Sequence, residues 1–197
     1  MIRSRVSPIR KVARFTFRSR MALAVRKLRL QDDRNSFESG DVDLDRFFRR
    51  FAGQNQFKHH VGTTYVAEED EALLGFATVS PAQIEVQDLP PAKQGRLPHY
   101  PLPVLRLARL AVDKRAQGRG VGLTLLKAVL VLARSMADEF GCIGVVVDAK
   151  PQAISFYQRY GFTVLEVLQG QLGDRPEPVP MFLEIGAIPW SGGADSP

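Results

Sequence analysis

The sequence predicts one α/β domain, a mixed sheet with helices on its faces. Three observations predict it: apolar runs of strand length alternate with amphipathic segments of helical period, no apolar run is long enough to cross a bilayer, and a glycine-rich turn links one run directly to one such segment. The chain has 197 residues, 45% of them hydrophobic, enough for a substantial core in a single unit. A membrane span needs roughly 18–20 continuous apolar residues, and no stretch approaches that, so a soluble chain without a membrane partner is expected; a single cysteine, Cys142, fits the reducing cytoplasm best.

The elements follow in order. "AVRKLRL" from Ala24 to Leu30 alternates as an opening strand, and residues 32–40 are polar and turn-rich. In "DVDLDRFFRRFAGQNQ", Leu44, Phe47, Phe48 and Phe51 fall at i, i+3, i+4 and i+7 behind leading acids, which predicts an amphipathic helix. A strand to Ala67, an acidic turn over Glu68–Glu71 and a strand from Leu73 to about Glu85 predict a hairpin. Five prolines between Asp88 and Pro103 predict an irregular surface loop. "VLRLARLAV", Val104 to Val112, is apolar enough for a central strand. From Leu123, the spacing of Leu125, Leu126, Val129, Leu130, Leu132, Ala133 and Met136 predicts a helix ending near Gly141. "CIGVVVDA" reads as a buried strand, Pro151 opens a short helix that Gly161 ends, and "FTVLEVL" and "PMFLEI" complete a pair of strands.

Charge is unevenly placed. Residues 1–30 hold ten Lys/Arg and no Asp/Glu, leaving seventeen basic against twenty-one acidic residues in the remainder. Residues 1–22 are read as a basic extension, residues 23–187 as the domain and residues 188–197 as a tail. The extension suits a transit peptide, a basic arm on nucleic acid, or a start assigned too early, with Met21 the first residue; the last is favoured and brings the net charge from +6 to −1. The single cysteine, Cys142, excludes an internal disulfide framework and a multi-cysteine zinc site, and its apolar surroundings predict a buried thiol.

"VDKRAQGRGVG" carries the chemistry. Main-chain N–H groups at a strand-to-helix turn, with the positive end of the helix, form a site for phosphate oxygens, and glycine lets the phosphate approach. Gly118, Gly120 and Gly122 open the segment from Gln117 through Val121 to Leu123, with Arg119 or Arg115 adding charge. The absence of Gly-Lys-Ser/Thr excludes a magnesium-binding P-loop, and Leu123 follows where a dinucleotide fingerprint needs other spacing.

These residues resemble the central motif of the GNAT family of N-acetyltransferases, Gln/Arg-x-x-Gly-x-Gly/Ala, with Gln117, Gly120 and Gly122 in register. "AISFYQRYGF" matches the same family's later signature. The likeness covers about residues 24–186 and, through "FESGDVDLDRFFRRFAGQNQ", "RLPHYPLPVLRLARLAVD" and "VVVDAKPQAISFYQRYGF", points within the family to the tRNA-acetylating toxins. It implies a mixed, mostly antiparallel central sheet with helices on both faces. It also implies acetyl-coenzyme A as donor, a primary amine as acceptor, above all the α-amine of aminoacyl-tRNA, and, as partners, a ribbon-helix-helix antitoxin and a second copy of the chain. Acetylation of a small amine or a protein N-terminus, or a silent binding module, are the competing readings.

The resemblance assigns the pantetheine arm to the main chain of Leu110, Ala111 and Val112 and the general acid to Tyr157, with Tyr160 as rival on the same helix. A phenol with a pKa near ~10 can protonate a departing thiolate. No carboxylate or histidine lies in the core strand; Asp113 and Glu85 are the candidate bases, and an α-amine of pKa about 8 can dispense with one. Arg109 resembles the arginine of the toxin-like motif and is assigned to the acceptor nucleotide, a structural ion pair being the alternative. Alternation puts Arg106 and Arg109 on opposite faces. Arg46, Arg49 and Arg50 could meet phosphates but read first as a solvated face. His59, His60 and His99 have no metal-ligand spacing, and no metal is assigned. Asp148 is read as a cap on the turn to Pro151.

Overall fold

The computed structural model describes residues 22–95, 97–165 and 178–188. Seven strands form one sheet in the order β1 (Ala24–Lys27), β2 (Thr63–Glu69), β3 (Ala72–Ile84), β4 (Leu102–Val112), β5 (Gly144–Ala149), β7 (Val179–Glu184) and β6 (Thr163–Val164). Only β4 and β5 run parallel; every other neighbouring pair is antiparallel. This is the expected mixed, mostly antiparallel sheet. Among the described residues no helix is long and apolar enough to cross a membrane.

The β2–β3 hairpin turns on two residues, Asp70 and Glu71, both with positive φ (49° and 66°), the twist that a right-handed strand pair favours. The turn is tighter than the acidic stretch suggests because Arg26 of β1 recruits Glu68 into β2, donating to it at 2.7 and 2.8 Å while also gripping Asp32 at 2.8 and 2.9 Å.

Helices cover both faces. On one, α4 (Val121–Glu139) buries Val121, Leu125, Leu126, Val129 and Ala133 against Leu105, Leu107, Val145 and Val147, with α5 (Ile154–Arg159) beside it. On the other lies one helix in three parts, α1 (Val42–Arg46), a π-turn over Phe47–Phe51, and α2 (Ala52–Phe57). Its Phe47, Phe48 and Ala52 pack with Phe37, Phe76, Val66 and Ala111. The Phe48 ring stacks on Phe76 with centroids 4.3 Å apart and meets Phe37 edge-on at 4.8 Å. The predicted stripe fails at Phe51, which stays 43% exposed. The cause is the π-turn, in which the Ala52 N–H bonds to Phe47 O, so that one extra residue rotates the helix and seats Ala52 where Phe51 was expected.

The proline-rich stretch is irregular apart from a short helix, α3 (Pro91–Gln94), and β4 starts at Leu102, two residues earlier than its apolar run suggests. Cys142 is buried, and its thiol donates to Gly144 O at 3.2 Å. Residues 1–21, 166–177 and 189–197, and with them most of the expected extension and tail and part of "FTVLEVL", lie outside the described residues.

Gly144 opens β5, opposite Glu184 of β7. A Cβ there would stand 2.3 Å from Leu183 O and 2.4 Å from the Phe182 ring, so backbone must move to admit it. Gly144→Ala is expected to lower the unfolding free energy by about 1–3 kcal/mol, the usual range for overpacking, read as an earlier urea midpoint at unchanged slope.

Candidate active site

The site begins with a fork in the sheet. β4 and β5 pair only where Leu105, Arg106 and Leu107 face Val145, Val146 and Val147, and then part, while β4 stays bonded to β3 as far as Val112. The fork coincides with a bulge: Thr78 opposes Arg109 and Val79 opposes Leu107, leaving Ala108 without a partner. Between the arms is a cleft of about 240 Å³ bounded by residues 107–112 and 147–150, with Gln117, Gln152 and Tyr157 on its walls. The Asp113 N–H bonds across to Leu74 O at 2.9 Å, so by alternation the main-chain groups of Val112 and Leu110 point away from β3 and into the cleft. One of them, Val112 O, accepts from the Gln117 side chain at 3.1 Å.

The glycine turn follows β4 out of this cleft, whose lining includes Gln117 but none of residues 118–123. Gly118 and Gly120 have φ of 75° and 82°, a conformation other residues adopt only under strain, and no atom lies within 4 Å of where their Cβ would be. Gly122 has no such requirement; a Cβ there would make ordinary contact with Val112 and Phe156. The first main-chain bond of α4 runs from Thr124 N–H to Gly120 O, which leaves the N–H groups of Val121, Gly122 and Leu123 without helical acceptors, beside the positive end of a helix of 19 residues. The flanking side chains are engaged within the protein: the Gln117 carboxamide donates to Ser39 O at 2.9 Å as well, Arg119 pairs with Glu69 at 2.6 Å, and Arg115 pairs with Asp113 at 2.7 Å.

Asp113 is thus a structural anchor for the turn. Its buried carboxylate accepts from the side chain and N–H of Arg115 and from the Glu38 N–H at 3.1 Å. Burial alone would push its pKa up, but these hydrogen bonds and the Arg115 charge outweigh it and hold the carboxyl below its ordinary value. A depressed carboxyl stabilises the fold above the ordinary carboxylate range, near ~4, and loses that contribution as pH falls through and below it. Asp113→Asn should therefore cost about 1.5–3 kcal/mol at pH 7 and progressively less below pH ~4, checked by urea unfolding across that range. Glu85, the other candidate base, caps the turn Val86–Asp88 and lines neither the cleft nor the cavity described next.

Tyr157 and Tyr160 part company in the structure. Tyr157 is 5% exposed, wedged edge-on between Phe156 and Phe162 at 5.1 and 5.3 Å, and forms part of the cleft wall. No group among the described residues bonds its hydroxyl, and burial pushes its pKa well above the usual phenol value. Tyr160, at the end of α5, packs on Phe156 and does not line the cleft.

Beyond the fork, on the α1 side, lies an open cavity of about 730 Å³ that shares Leu44, Ala108, Arg109 and Lys150 with the cleft. Arg106 and Arg109 both line it. Strict alternation would have separated them; the extra residue at Ala108 brings them to one face. Arg106 pairs with Asp148, which is therefore no cap on the following turn, and Lys150 pairs with Asp41. Arg46 pairs with Asp43 at 2.8 Å, while Arg49 points elsewhere and donates to Phe37 O at 3.0 Å. Arg109 has no carboxylate partner among the described residues; its guanidinium lies 3.9 Å from the centroid of Phe47. Desolvation there, and next the charge of Arg106, hold its pKa below the ordinary value. Every carboxylate at the cleft or cavity, Asp41, Asp43 and Asp148, is engaged by a cation. Among the described residues no group of three or more His, Cys, Asp or Glu gathers to hold a metal ion.

Sequence reasoning passed over Ser39, Asp41, Lys150 and Gln152. Asp41 carried a local signal as the cap of α1, accepting from the N–H groups of Asp43 and Leu44 at 3.1 Å, but its bond to Lys150, 109 residues away, had none.

A parallel strand pair that splays beside a glycine turn and a helix N-terminus, with a second cavity opening at the fork, is the arrangement of an acyl-coenzyme A N-acyltransferase. The chain belongs to the GNAT family: the family model for the acetyltransferase (GNAT) domain matches residues 60–164. It is an acetyl-coenzyme A-dependent N-acetyltransferase. A tRNA-acetylating toxin of Mycobacterium tuberculosis is 32% identical over 142 residues, covering 72% of this chain and 84% of that protein. Two solved structures at 24% identity share the fold. A tyrosine-to-phenylalanine mutant of KacT has a TM-score of 0.75 over 85% of this chain and 97% of the other; AtaT complexed with acetyl-methionyl-tRNAfMet has 0.72 over 84% and 96%.

Proposed function

We propose that this protein transfers acetyl from acetyl-coenzyme A to the α-amine of the amino acid on a charged tRNA, and so stops translation from the cytoplasm. The acetyltransferase unit is residues 23–187. The observation that carries the reading is the second cavity: at about 730 Å³, meeting the donor cleft at Ala108 and keeping the Arg109 charge unpaired by any carboxylate among the described residues, it is larger than a small amine needs. The relative in Mycobacterium tuberculosis, named a tRNA-acetylating toxin, supports it. A toxin requires a neutralising partner in its own cell, and a ribbon-helix-helix antitoxin is proposed for that role.

The residues divide the work. The amides of the segment from Gln117 to Leu123, through Gly118, Arg119, Gly120, Val121 and Gly122, hold the diphosphate; Leu110, Ala111 and Val112 align the pantetheine arm, and a β4 N–H facing the cleft stabilises the oxyanion as it forms. The acceptor nitrogen attacks the thioester carbon, the carbon–sulfur bond breaks, and Tyr157 gives its proton to the departing sulfur and regains one from the acceptor amine through solvent. With every carboxylate at the cleft and cavity paired, no unpaired carboxylate stands ready as a base among the described residues, which favours an amine already partly neutral: an α-amine of pKa about 8 rather than a lysine near 10.4.

Labelled acetyl transfer to a panel of charged tRNAs, free amines and peptides tests this. Label is expected on the aminoacyl group of one or a few tRNAs; label confined to a metabolite or a peptide N-terminus would overturn the reading.

A further inference from the structure

The acceptor cavity holds one cation and one aromatic ring that the fold leaves uncommitted. Arg46, Arg106 and Lys150 each neutralise a carboxylate, whereas Arg109 meets none among the described residues and rests on the Phe47 face. The ring is Phe51. Its spacing destines it for the core, yet the π-turn diverts it to the cavity, where it remains 43% exposed while Ala52 takes the buried place. Asn55, one turn further along the same helix, lines the cavity too. An α-helix without the extra residue would have buried Phe51 beside Phe47 and Phe48, so the insertion forgoes an apolar contact and gains an exposed ring in a cavity that Arg109 also lines.

An exposed π-face, a guanidinium held on an aromatic ring nearby, and an amide able both to donate and to accept are the recognition set for an unpaired nucleotide: ring for the base, cation for the phosphate, amide for the base edge. Building on the charged-tRNA reading above, we propose that Phe51 is the stacking platform for an unpaired base at the aminoacylated 3′ end, with Arg109 at the adjoining phosphate and Asn55 at the base edge. The bases there are single-stranded and offer their faces, which duplex bases do not. Phe51 is thereby a positioning residue: it touches the carrier and sets where the amine sits relative to the fork.

The test compares Phe51→Ala, Phe51→Leu and Phe51→Trp with wild type on the charged tRNA that the wild type acetylates best. Loss of one base stack should raise the KM for charged tRNA about tenfold to a hundredfold in both the Ala and Leu variants, with kcat changed far less, and Trp should restore it because any aromatic face will serve. A 2-aminopurine placed at the 3′ end should lose fluorescence on binding wild type and the Trp variant but not the Ala variant. An unchanged KM in Phe51→Ala overturns the proposal. So does full activity in Phe51→Leu, which would make the contact apolar rather than stacking. An equal KM rise with the amino-acid methyl ester, which carries no nucleotide, also overturns it and assigns the ring to the amino-acid side chain. If wild type acetylates no charged tRNA at all, the parent reading fails instead, and that result is visible before any variant is made.

Discussion

Tyr157→Phe should lower kcat by about 10²–10⁴-fold, the usual worth of a positioned acid, while leaving the KM for acetyl-coenzyme A and the urea midpoint close to wild type. The ring contacts with Phe156 and Phe162 survive the change, and the hydroxyl bonds nothing among the described residues, so its removal strands no partner. The loss therefore reports chemistry rather than folding. Burial keeps the phenol protonated well into the alkaline range, since the folded form resists ionisation that the free side chain undergoes near ~10. The wild-type rate should accordingly rise as the acceptor α-amine sheds its proton near pH ~8 and show no decline from Tyr157 before pH ~10. Tyr160→Phe, outside the cleft, should behave as wild type. Single-turnover transfer, in which the chemical step is observed directly, decides the matter: equal rates for Tyr157→Phe and wild type would remove Tyr157 from the mechanism.

What local pattern can encode was legible. The apolar runs, the amphipathic period of α4 and the glycine-rich turn that joins β4 to it all act within a few residues, and each led to the right element. What failed to show were two single-residue insertions. The bulge at Ala108 and the π-turn over Phe47–Phe51 each slip a periodic pattern by one, and a slip of one residue turns every later side chain to another face. Both lie on the larger cavity, so the face assignments of Arg109 and Phe51, which depend on them, could not come from periodicity. The pairs Arg106–Asp148 and Lys150–Asp41 were equally hidden, being set by the meeting of distant strands. The glycine turn, one contiguous stretch, was easier to read than the larger cavity, which five separate stretches line.

That division has an energetic counterpart, and Phe48 exposes it. Phe48 is 0% exposed, stacked on Phe76 and edge-on to Phe37, and with Phe47 and Ala52 it fastens the interrupted helix to the sheet. Phe48→Ala should cost about 3–5 kcal/mol of stability, a large share of the 5–15 kcal/mol typical of a domain, seen as a much earlier urea midpoint. Phe48→Leu should recover part of it by filling volume without the ring stack. In the fraction still folded the two substrates should respond differently. The helix carries Leu44, Arg46, Phe47, Phe51 and Asn55 into the acceptor cavity, whereas the glycine turn is anchored by Asp113 and α4 by the opposite core cluster. KM for the acceptor should therefore rise well beyond KM for acetyl-coenzyme A. Leu126→Ala, equally buried in α4, is the counterpart expected to weaken coenzyme binding more than acceptor binding. If both variants raised both constants alike, the two faces of the sheet would form one cooperative unit, and the separate tuning of donor and acceptor that the fork suggests would not exist.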